Sequence, residues 1–375
     1  AAAKDLRVSV YVPENIEELR TSPVLRPEPT GFDDLCQLKY TSGTTGKPKG
    51  AMLTHGNWLA AINNECDVLT FKQDDIYLGI YPMGHVGLSW GIAAMRAGAC
   101  YIMMERYDPA AYLSLCKEHG VTVLSGMPPV IHSLVEAPAG TEAMIATVRE
   151  ITSGGGPLHH EIWKKFHYRY NIPVINAYGL SETVVIGTGT VIRPEDYASA
   201  DRFQSVGHPV CFSEVKIVDE EDASRELPLG TPGEIALRGP AVAKGYWNMP
   251  EETARAFLPD GWFLTGDVGY LDKDHRLCLT DRKKDMIVMS GWKIYPTEVE
   301  EALLKYPDVA EIAVFGIPHP HRGEIPVAAV VWRTGWDGSD KEAGLLAFAK
   351  EHLAGYKVPR KLYTVDSLTR VNAWN

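Results

Sequence analysis

Hydroxyl, glycine and lysine residues are concentrated in residues 40–50, whose sequence is YTSGTTGKPKG. Glycines let backbone N–H groups approach an anion, while hydroxyls donate hydrogen bonds and lysines supply positive charge. The segment therefore predicts a phosphate-binding loop, with the candidate ligands Thr41, Ser42, Gly43, Thr44, Thr45, Gly46, Lys47 and Lys49. A Walker A loop has four residues between its first glycine and the Gly-Lys pair, whereas this segment has two. A kinase-like phosphotransferase is therefore disfavoured.

Two further segments combine small and polar residues after predicted strands. Gly154, Gly155 and Gly156 follow a predicted strand at 151–153 and offer main chain to a flat ligand. Residues 178–182, with the sequence YGLSE, follow a predicted strand at 174–177 and bring a ring, a hydroxyl and a carboxylate together. Mg²⁺ prefers such carboxylate oxygens alongside substrate phosphates. Taken alone, the glycine segment is more typical of an ordinary strand-to-helix turn.

These segments belong to an ordered set that resembles the motifs of the adenylate-forming superfamily. That superfamily contains acyl- and aryl-CoA synthetases, luciferases and the adenylation domains of peptide synthetases. The set continues with YPMGH at 81–85, SGGGPL at 153–158, YGLSET at 178–183, GEI at 233–235, GYW at 245–247, GWFLTGD at 261–267, DRKKD at 281–285 and SGWK at 290–293. Residues 282–291 with YPTEVE at 295–300 most closely resemble fatty acyl-CoA synthetases. The resemblance covers nearly all of the chain from Leu35 onward.

The resemblance implies a nucleotide site. It places the nucleotide against Gly154, Gly155, Gly156, Tyr178, Gly179, Asp267 and Arg282. In this arrangement the glycines contact adenine and Tyr178 stacks on the other face of the ring. Asp267 takes both ribose hydroxyls, with Arg282 as its partner at the ribose and phosphate.

The resemblance also implies four catalytic residues, namely Lys49, His85, Ser181 and Glu182. Ser181 offers its hydroxyl to the α-phosphate, where the family more often has threonine. Glu182 is the implied Mg²⁺ ligand, and His85 is the implied gate between the nucleotide and the acyl pocket.

The resemblance also implies a second orientation of the C-terminal domain, in which residues near the predicted domain junction take part. Lys284 matches the hinge about which the C-terminal domain rotates. Gly291 and Trp292 match the segment that lines the thiol channel, and Lys293 belongs to the same predicted ligand-binding segment.

The implied reaction has two steps and uses ATP, Mg²⁺ and coenzyme A. A carboxylate attacks the α-phosphate of ATP to give an acyl-adenylate and pyrophosphate, and the thiol of coenzyme A then displaces AMP. We expect a medium- or long-chain fatty acid as the small-molecule carboxylic acid substrate. An amino acid is disfavoured, because residues 83–88 contain no acid to pair with its ammonium group.

Other functions remain open at this point. An aryl-CoA ligase or a luciferase-like enzyme has the same motifs. The family also expects a C-terminal Pro-Arg-Thr-x-x-Gly-Lys motif, whose lysine drives adenylation. This chain reads TRVNAWN at 369–375, with Asn375 in the lysine position. A catalytically defective homologue that only binds a nucleotide or an acyl-adenylate is therefore an alternative to truncation of the sequence.

The elements that must position these residues alternate between strand and helix. Strands are predicted at 35–40, 99–104, 121–125, 151–153 and 174–177, and helices at 57–69, 108–119, 142–150 and 159–170. Such alternation predicts an α/β fold with doubly wound parallel sheets. Short strands after residue 203 predict a small β-rich subdomain, and a new α+β pattern begins after Asp281.

We expect two domains with a boundary in the charged junction at 281–285. Residues 1–281 would form the ATP- and acyl-binding N-terminal domain, and residues 282–375 the mobile C-terminal domain. The phosphate loop comes far earlier in this chain than in the family, so we expect an N-terminal subdomain to be missing from it.

Composition excludes several classes of protein. The net charge of −11 argues against a general nucleic-acid binder, which needs a dominant basic surface. No apolar run is long enough for a transmembrane helix. The six cysteines are dispersed without metal-site spacing, which favours reduced thiols in a cytoplasmic protein. The sequence leaves a homodimer open.

Overall fold

The computed structural model describes residues 29–41, 48–84, 86–156, 158–192, 205–283, 285–333 and 341–368. The chain divides into two units, Ala1–Gly31 and Phe32–Asn375, and every element below lies in the second. Eight of the predicted site residues lie outside the described residues, namely Ser42, Gly43, Thr44, Thr45, Gly46, Lys47, His85 and Lys284.

A hairpin precedes the main sheet. Its strands are β1 (Leu35–Thr41) and β2 (Lys49–Thr54), which pair antiparallel so that Thr41 faces Lys49 across the ladder. The hairpin therefore brings the two ends of the predicted phosphate loop side by side. Helix α1 (His55–Val68) follows β2 directly.

The main sheet contains most of the strands that the sequence predicts. Its strands are β3 (Ile76–Gly79), β4 (Cys100–Met103), β5 (Val123–Ser125), β6 (Glu150–Ser153), β7 (Val174–Leu180), β8 (Val185–Val191) and β9 (His208–Pro209). Within the described residues their order is β4-β3-β5-β6-β7-β8-β9. The first five in that order are parallel, and β8 and β9 extend the sheet in antiparallel fashion.

Helices cover both faces of this sheet. Besides α1 they are α2 (Val86–Arg96), α3 (Pro109–His119), α4 (Pro128–Val135) and α5 (His160–Tyr170). Because successive residues of a strand point to opposite faces, Leu78 and Leu124 pack in one core with α3, α4 and α5. Their neighbours Tyr77 and Val123 pack in another core with α1 and α2. The predicted doubly wound α/β fold is confirmed.

A small β-rich part follows. Its strands are β10 (Glu214–Val218), β11 (Gly233–Arg238), β12 (Phe263–Leu271) and β13 (Leu277–Arg282), antiparallel in that order. The short helix α6 (Pro250–Ala256) lies between β11 and β12 in the chain.

The last part is α+β, as predicted. Its elements are β14 (Ile287–Met289), β15 (Trp292–Ile294), α7 (Pro296–Leu303), β16 (Val309–His319), β17 (Gly323–Trp332), α8 (Lys341–His352) and β18 (Leu362–Thr364). Residues from both helices and from the sheet share one core, including Ile294, Val299, Val330 and Leu345. The boundary at 281/282 stays a prediction, as do the two domains defined by it.

One predicted helix is wrong. Residues 142–150 were expected to be helical, but only Thr141–Ile145 form a short 3₁₀ helix, and Glu150 already begins β6. Arg149 N donates to Thr122 O at 2.8 Å, which draws this stretch into line with the neighbouring strand β5. None of the helices described above is long and apolar enough to cross a membrane.

Candidate active site

Glu182 lies in a tight turn between two strands of the main sheet. The turn is a 3₁₀ helix, Ser181–Thr183, that connects β7 to β8. Val184 and Val185 follow it with φ angles of 48° and 58°, a left-handed conformation that β-branched residues rarely adopt. Gly179 is required just before the turn, since a Cβ there would lie 1.8 Å from Val185 O. The backbone around Glu182 is therefore strongly constrained.

The Glu182 carboxylate is buried and held by a tyrosine. Tyr246 Oη donates a hydrogen bond to Glu182 Oε1 at 2.9 Å, and Ala243 N donates to the Glu182 main-chain oxygen at 2.8 Å. Burial raises the pKa of Glu182, and the nearby Asp267 carboxylate raises it further. A cation bound at this carboxylate would oppose both effects.

Lys49, at the start of β2, reaches the same tyrosine. Its Nζ lies 5.2 Å from the centre of the Tyr246 ring and donates a hydrogen bond to Glu252. That hydrogen bond lowers the pKa of the Glu252 carboxyl, which therefore stays ionised beside the ammonium group. The structure thus connects the predicted phosphate-binding lysine to the predicted Mg²⁺ ligand through Tyr246.

A second group joins Tyr178, Asp267 and Arg282. Tyr178 Oη donates to Asp267 Oδ2 at 2.7 Å, and Arg282 Nε lies 3.6 Å from Asp267 Oδ1. Asp267 and Arg282 are direct partners across strands β12 and β13. Burial raises the pKa of Tyr178 well above its usual value, so its hydroxyl remains a donor. Only 7% of Tyr178 is exposed, and its predicted stacking on adenine stays a prediction.

The glycine segment after β6 begins next to β7, since a Cβ at Gly154 would lie 3.1 Å from Ala177 O. Gly154 is buried and its carbonyl accepts a hydrogen bond from Tyr81 Oη at 3.1 Å, whereas Gly155 and Gly156 are exposed. The two glycines after it are therefore open to solvent, and their predicted contact with adenine stays a prediction.

The predicted thiol-channel segment lies at β15. Trp292 is 58% exposed and stacks on Tyr356, with the ring centres 4.8 Å apart. Lys293 Nζ donates to Glu220 Oε1 at 2.7 Å, and Gly291 has a φ of 85° in the turn before the strand. The role of this segment stays a prediction.

The sequence reasoning missed four charged or polar residues, namely Tyr246, Lys39 and Glu65, which are buried, and Glu252, which is partly exposed. Tyr246 belongs to the GYW motif but is assigned no role from the sequence, and Glu252 belongs to none of the motifs. Lys39 and Glu65 are 3% and 0% exposed, and burial lowers the pKa of Lys39 and raises that of Glu65. The sequence does contain a signal for the burial of Glu65, because this residue lies on the same face of α1 as the buried residues Ala61 and Val68.

The donor set fits one Mg²⁺ shared with a phosphorylated substrate rather than a resident metal. No group of three or more His, Cys, Asp or Glu side chains in the described part of the chain could hold a metal ion. Mg²⁺ is usually bound by one or two carboxylates plus substrate phosphates, and Glu182, connected to Lys49 through Tyr246, suits that setting.

Comparison with known proteins identifies both parts of the chain. The family described as AMP-binding enzyme matches residues 3–247, and the AMP-binding enzyme C-terminal domain matches residues 298–372. A feruloyl-CoA synthase from Amycolatopsis sp is 36% identical over 91% of this chain and 68% of its own. A long-chain-fatty-acid–CoA ligase from Bacillus subtilis is 37% identical over 92% of this chain and 60% of its own. The chain thus spans about two thirds of the length of these relatives.

Among solved structures, ATP-bound MatB from Rhodopseudomonas palustris has a similar fold. Its TM-score is 0.83 at 33% identity, covering 92% of this chain and 67% of that one.

Proposed function

Since this chain belongs to the family of AMP-binding enzymes, we propose that it is an ATP-dependent acid–thiol ligase that forms an acyl-adenylate and transfers the acyl group to coenzyme A. The observation that carries the proposal is the connection of Lys49 to the buried Glu182 through Tyr246. A cation and a carboxylate that contact the same tyrosine side chain suit a Mg²⁺-bound triphosphate. The CoA ligases among the relatives support the reaction class.

In the first step the acid's carboxylate oxygen bonds to the α-phosphorus and pyrophosphate leaves. Lys49 neutralises charge on the phosphate oxygens, and Asp267 with Arg282 fixes the ribose, so the chain acts mainly by positioning and electrostatics. Glu182 would hold Mg²⁺, which would supply further positive charge to the phosphates. In the second step the sulfur of coenzyme A bonds to the acyl carbon, the bond from that carbon to the phosphate oxygen breaks, AMP leaves and the thiol proton passes to water.

We place fatty acids first among the substrates. The resemblance of residues 282–300 to fatty acyl-CoA synthetases and the long-chain relative both favour them. The feruloyl-CoA synthase keeps an aryl acid as the second candidate. A hydrophobic pocket discriminates chain length by only about 1–3 kcal/mol per methylene. The acyl substrate is therefore better identified by assaying a panel of acids than from the fold.

The second half-reaction supplies a role for the junction after β13. Lys284 is the proposed hinge, and Gly291 with Trp292 the proposed wall of the thiol channel. The exposure of Trp292 supports a segment that gains contacts in another orientation. A cytoplasmic location and a homodimer stay predictions.

The test is ATP–pyrophosphate exchange by the full-length protein with fatty, aryl and amino acids. Lys49→Ala is expected to slow exchange about a hundredfold, as removal of one transition-state donor does elsewhere. Lys273→Ala, in an exposed turn, is the matched control and should exchange at the wild-type rate. Exchange that is unchanged by Lys49→Ala would contradict the site, and absence of exchange with every acid would favour a binding protein without activity.

A further inference from the structure

The segment 245–253 is attached to the strand that begins with Lys49. Met52 N donates to Gly245 O at 2.9 Å and Trp247 N donates to Gly50 O at 2.8 Å. The segment therefore moves with β2, although the two lie about two hundred residues apart in the chain.

The segment is also closed upon itself. Tyr246 N donates to Thr253 Oγ1 at 2.9 Å, and Thr253 Oγ1 donates to Met249 O at 2.8 Å. Gly245 has a φ of 136°, and a Cβ there would lie 2.4 Å from Thr253 Cγ2. These contacts fix Tyr246 and Glu252 relative to each other.

Both side chains then point at the two charged groups of the proposed ATP site. Glu252 accepts a hydrogen bond from Lys49 Nζ, and the Tyr246 ring lies under the same ammonium group. The Tyr246 hydroxyl holds Glu182 Oε1. One rigid segment thus touches the phosphate lysine on one side and the metal-binding carboxylate on the other.

We propose that Glu252 and Tyr246 are positioning residues that set the spacing between Lys49 and Glu182 for the Mg²⁺–ATP complex. The inference rests on the proposed function. Lysine has three donors, so the hydrogen bond to Glu252 leaves two for phosphate oxygens while restricting the flexible side chain. Tyr246 occupies one oxygen of Glu182 and orients the carboxylate that a metal shared with phosphates would need.

The two contacts predict different defects. Glu252→Ala removes the partner of Lys49 and is expected to raise the KM for ATP about tenfold, the size of a lost charge-assisted hydrogen bond. Glu252→Gln keeps an acceptor and should recover most of the loss. Tyr246→Phe keeps the ring under Lys49 but frees Glu182, so the Mg²⁺ concentration for half-maximal exchange should rise about tenfold at unchanged KM for ATP.

Glu251→Ala is the matched control, since Glu251 lies in the same helical turn but is exposed. A purely structural role would lower the melting temperature and kcat of the variants without moving either ligand concentration. Ligand requirements equal to wild type in Glu252→Ala and Tyr246→Phe would overturn the proposal.

Equilibrium binding of ATP with Mg²⁺, measured by calorimetry without an acid, separates this inference from the proposed function. A wild type that binds ATP but exchanges no pyrophosphate would refute the ligase activity only, and weaker binding by Glu252→Ala would still support the positioning role. A wild type that binds no ATP would overturn both.

Discussion

Replacing Asp267 by alanine tests whether this carboxylate holds the ribose of ATP. In the structure Asp267 Oδ2 accepts from Tyr178 Oη at 2.7 Å, and Arg282 Nε lies 3.6 Å from Oδ1. A ribose hydroxyl donating to this carboxylate would add a charge-assisted bond. We therefore expect Asp267→Ala to lower kcat/KM for ATP strongly.

The magnitude follows from the bonds that are lost. A hydrogen bond to a charged group contributes about 1.5–3 kcal/mol, so losing the 2′-hydroxyl alone should lower kcat/KM about 10- to 150-fold in the wild type. In Asp267→Ala that penalty should disappear, because neither ATP nor 2′-deoxy-ATP can then donate a hydrogen bond to a carboxylate at position 267. The variant also leaves the buried Tyr178 hydroxyl without this acceptor, which costs about 1–3 kcal/mol of stability.

The assay is pyrophosphate exchange with ATP and 2′-deoxy-ATP, combined with urea denaturation. The double variant Tyr178→Phe/Asp267→Ala removes both partners and should regain stability without regaining discrimination between the nucleotides. Asp260→Ala, in an exposed turn, is the control. If Asp267→Ala keeps the wild-type ratio between the two nucleotides, Asp267 does not contact the ribose.

Two further predictions concern stability. Arg149→Met should destabilise the protein by about 3–5 kcal/mol in urea denaturation. The reason is that Arg149 pairs with Asp75 at 2.7 Å and with Glu150 at 2.6 Å, and both carboxylates are nearly buried. A loss of stability below about 1 kcal/mol would contradict this prediction. Burial raises the pKa of Glu300 from the usual range of a glutamate to about 7, so the folded state holds this proton more tightly than the unfolded state does. The free energy of unfolding should therefore fall by up to about 3 kcal/mol as the pH rises through the range between these two pKa values. Glu300→Gln keeps an acceptor for Val314 N, which donates at 2.7 Å, and should flatten the urea midpoints between pH 5 and pH 8; an unaltered slope would refute the assignment.

The sequence predicts the elements whose pattern is strong and local. The strands β5 and β7 were found because each begins with a short apolar run, and β6 because Ile151 and Thr152 come just before the glycine segment. Helix α2 was missed, because its sequence VGLSWGIAAMR contains two glycines that disfavour a helix in isolation. β8 was missed for a similar reason, since VIGTGTV is typical of a loop until both of its faces are buried.

The residues of the candidate site likewise include some that local motifs predict and others that only the structure brings together. Residues inside a dense motif, such as Lys49 and Glu182, were identified from the sequence and its resemblance to the adenylate-forming superfamily. The contacts of Tyr246 and Glu252 could not be, because they depend on a segment that returns to β2 from far along the chain. Spacing in the sequence contains no information about such a return; only the packed structure does.

The left-handed turn at Val184 and Val185 has a consequence for the order in which the protein assembles. A β-branched residue in this conformation costs about 1–2 kcal/mol, so the peptide does not form this turn by itself. Val184 packs with Ala51 and Ala61, whereas Val185 packs in the separate core that contains Trp90. We therefore expect the turn to close only after both cores have formed, so that Glu182 takes its place late in folding.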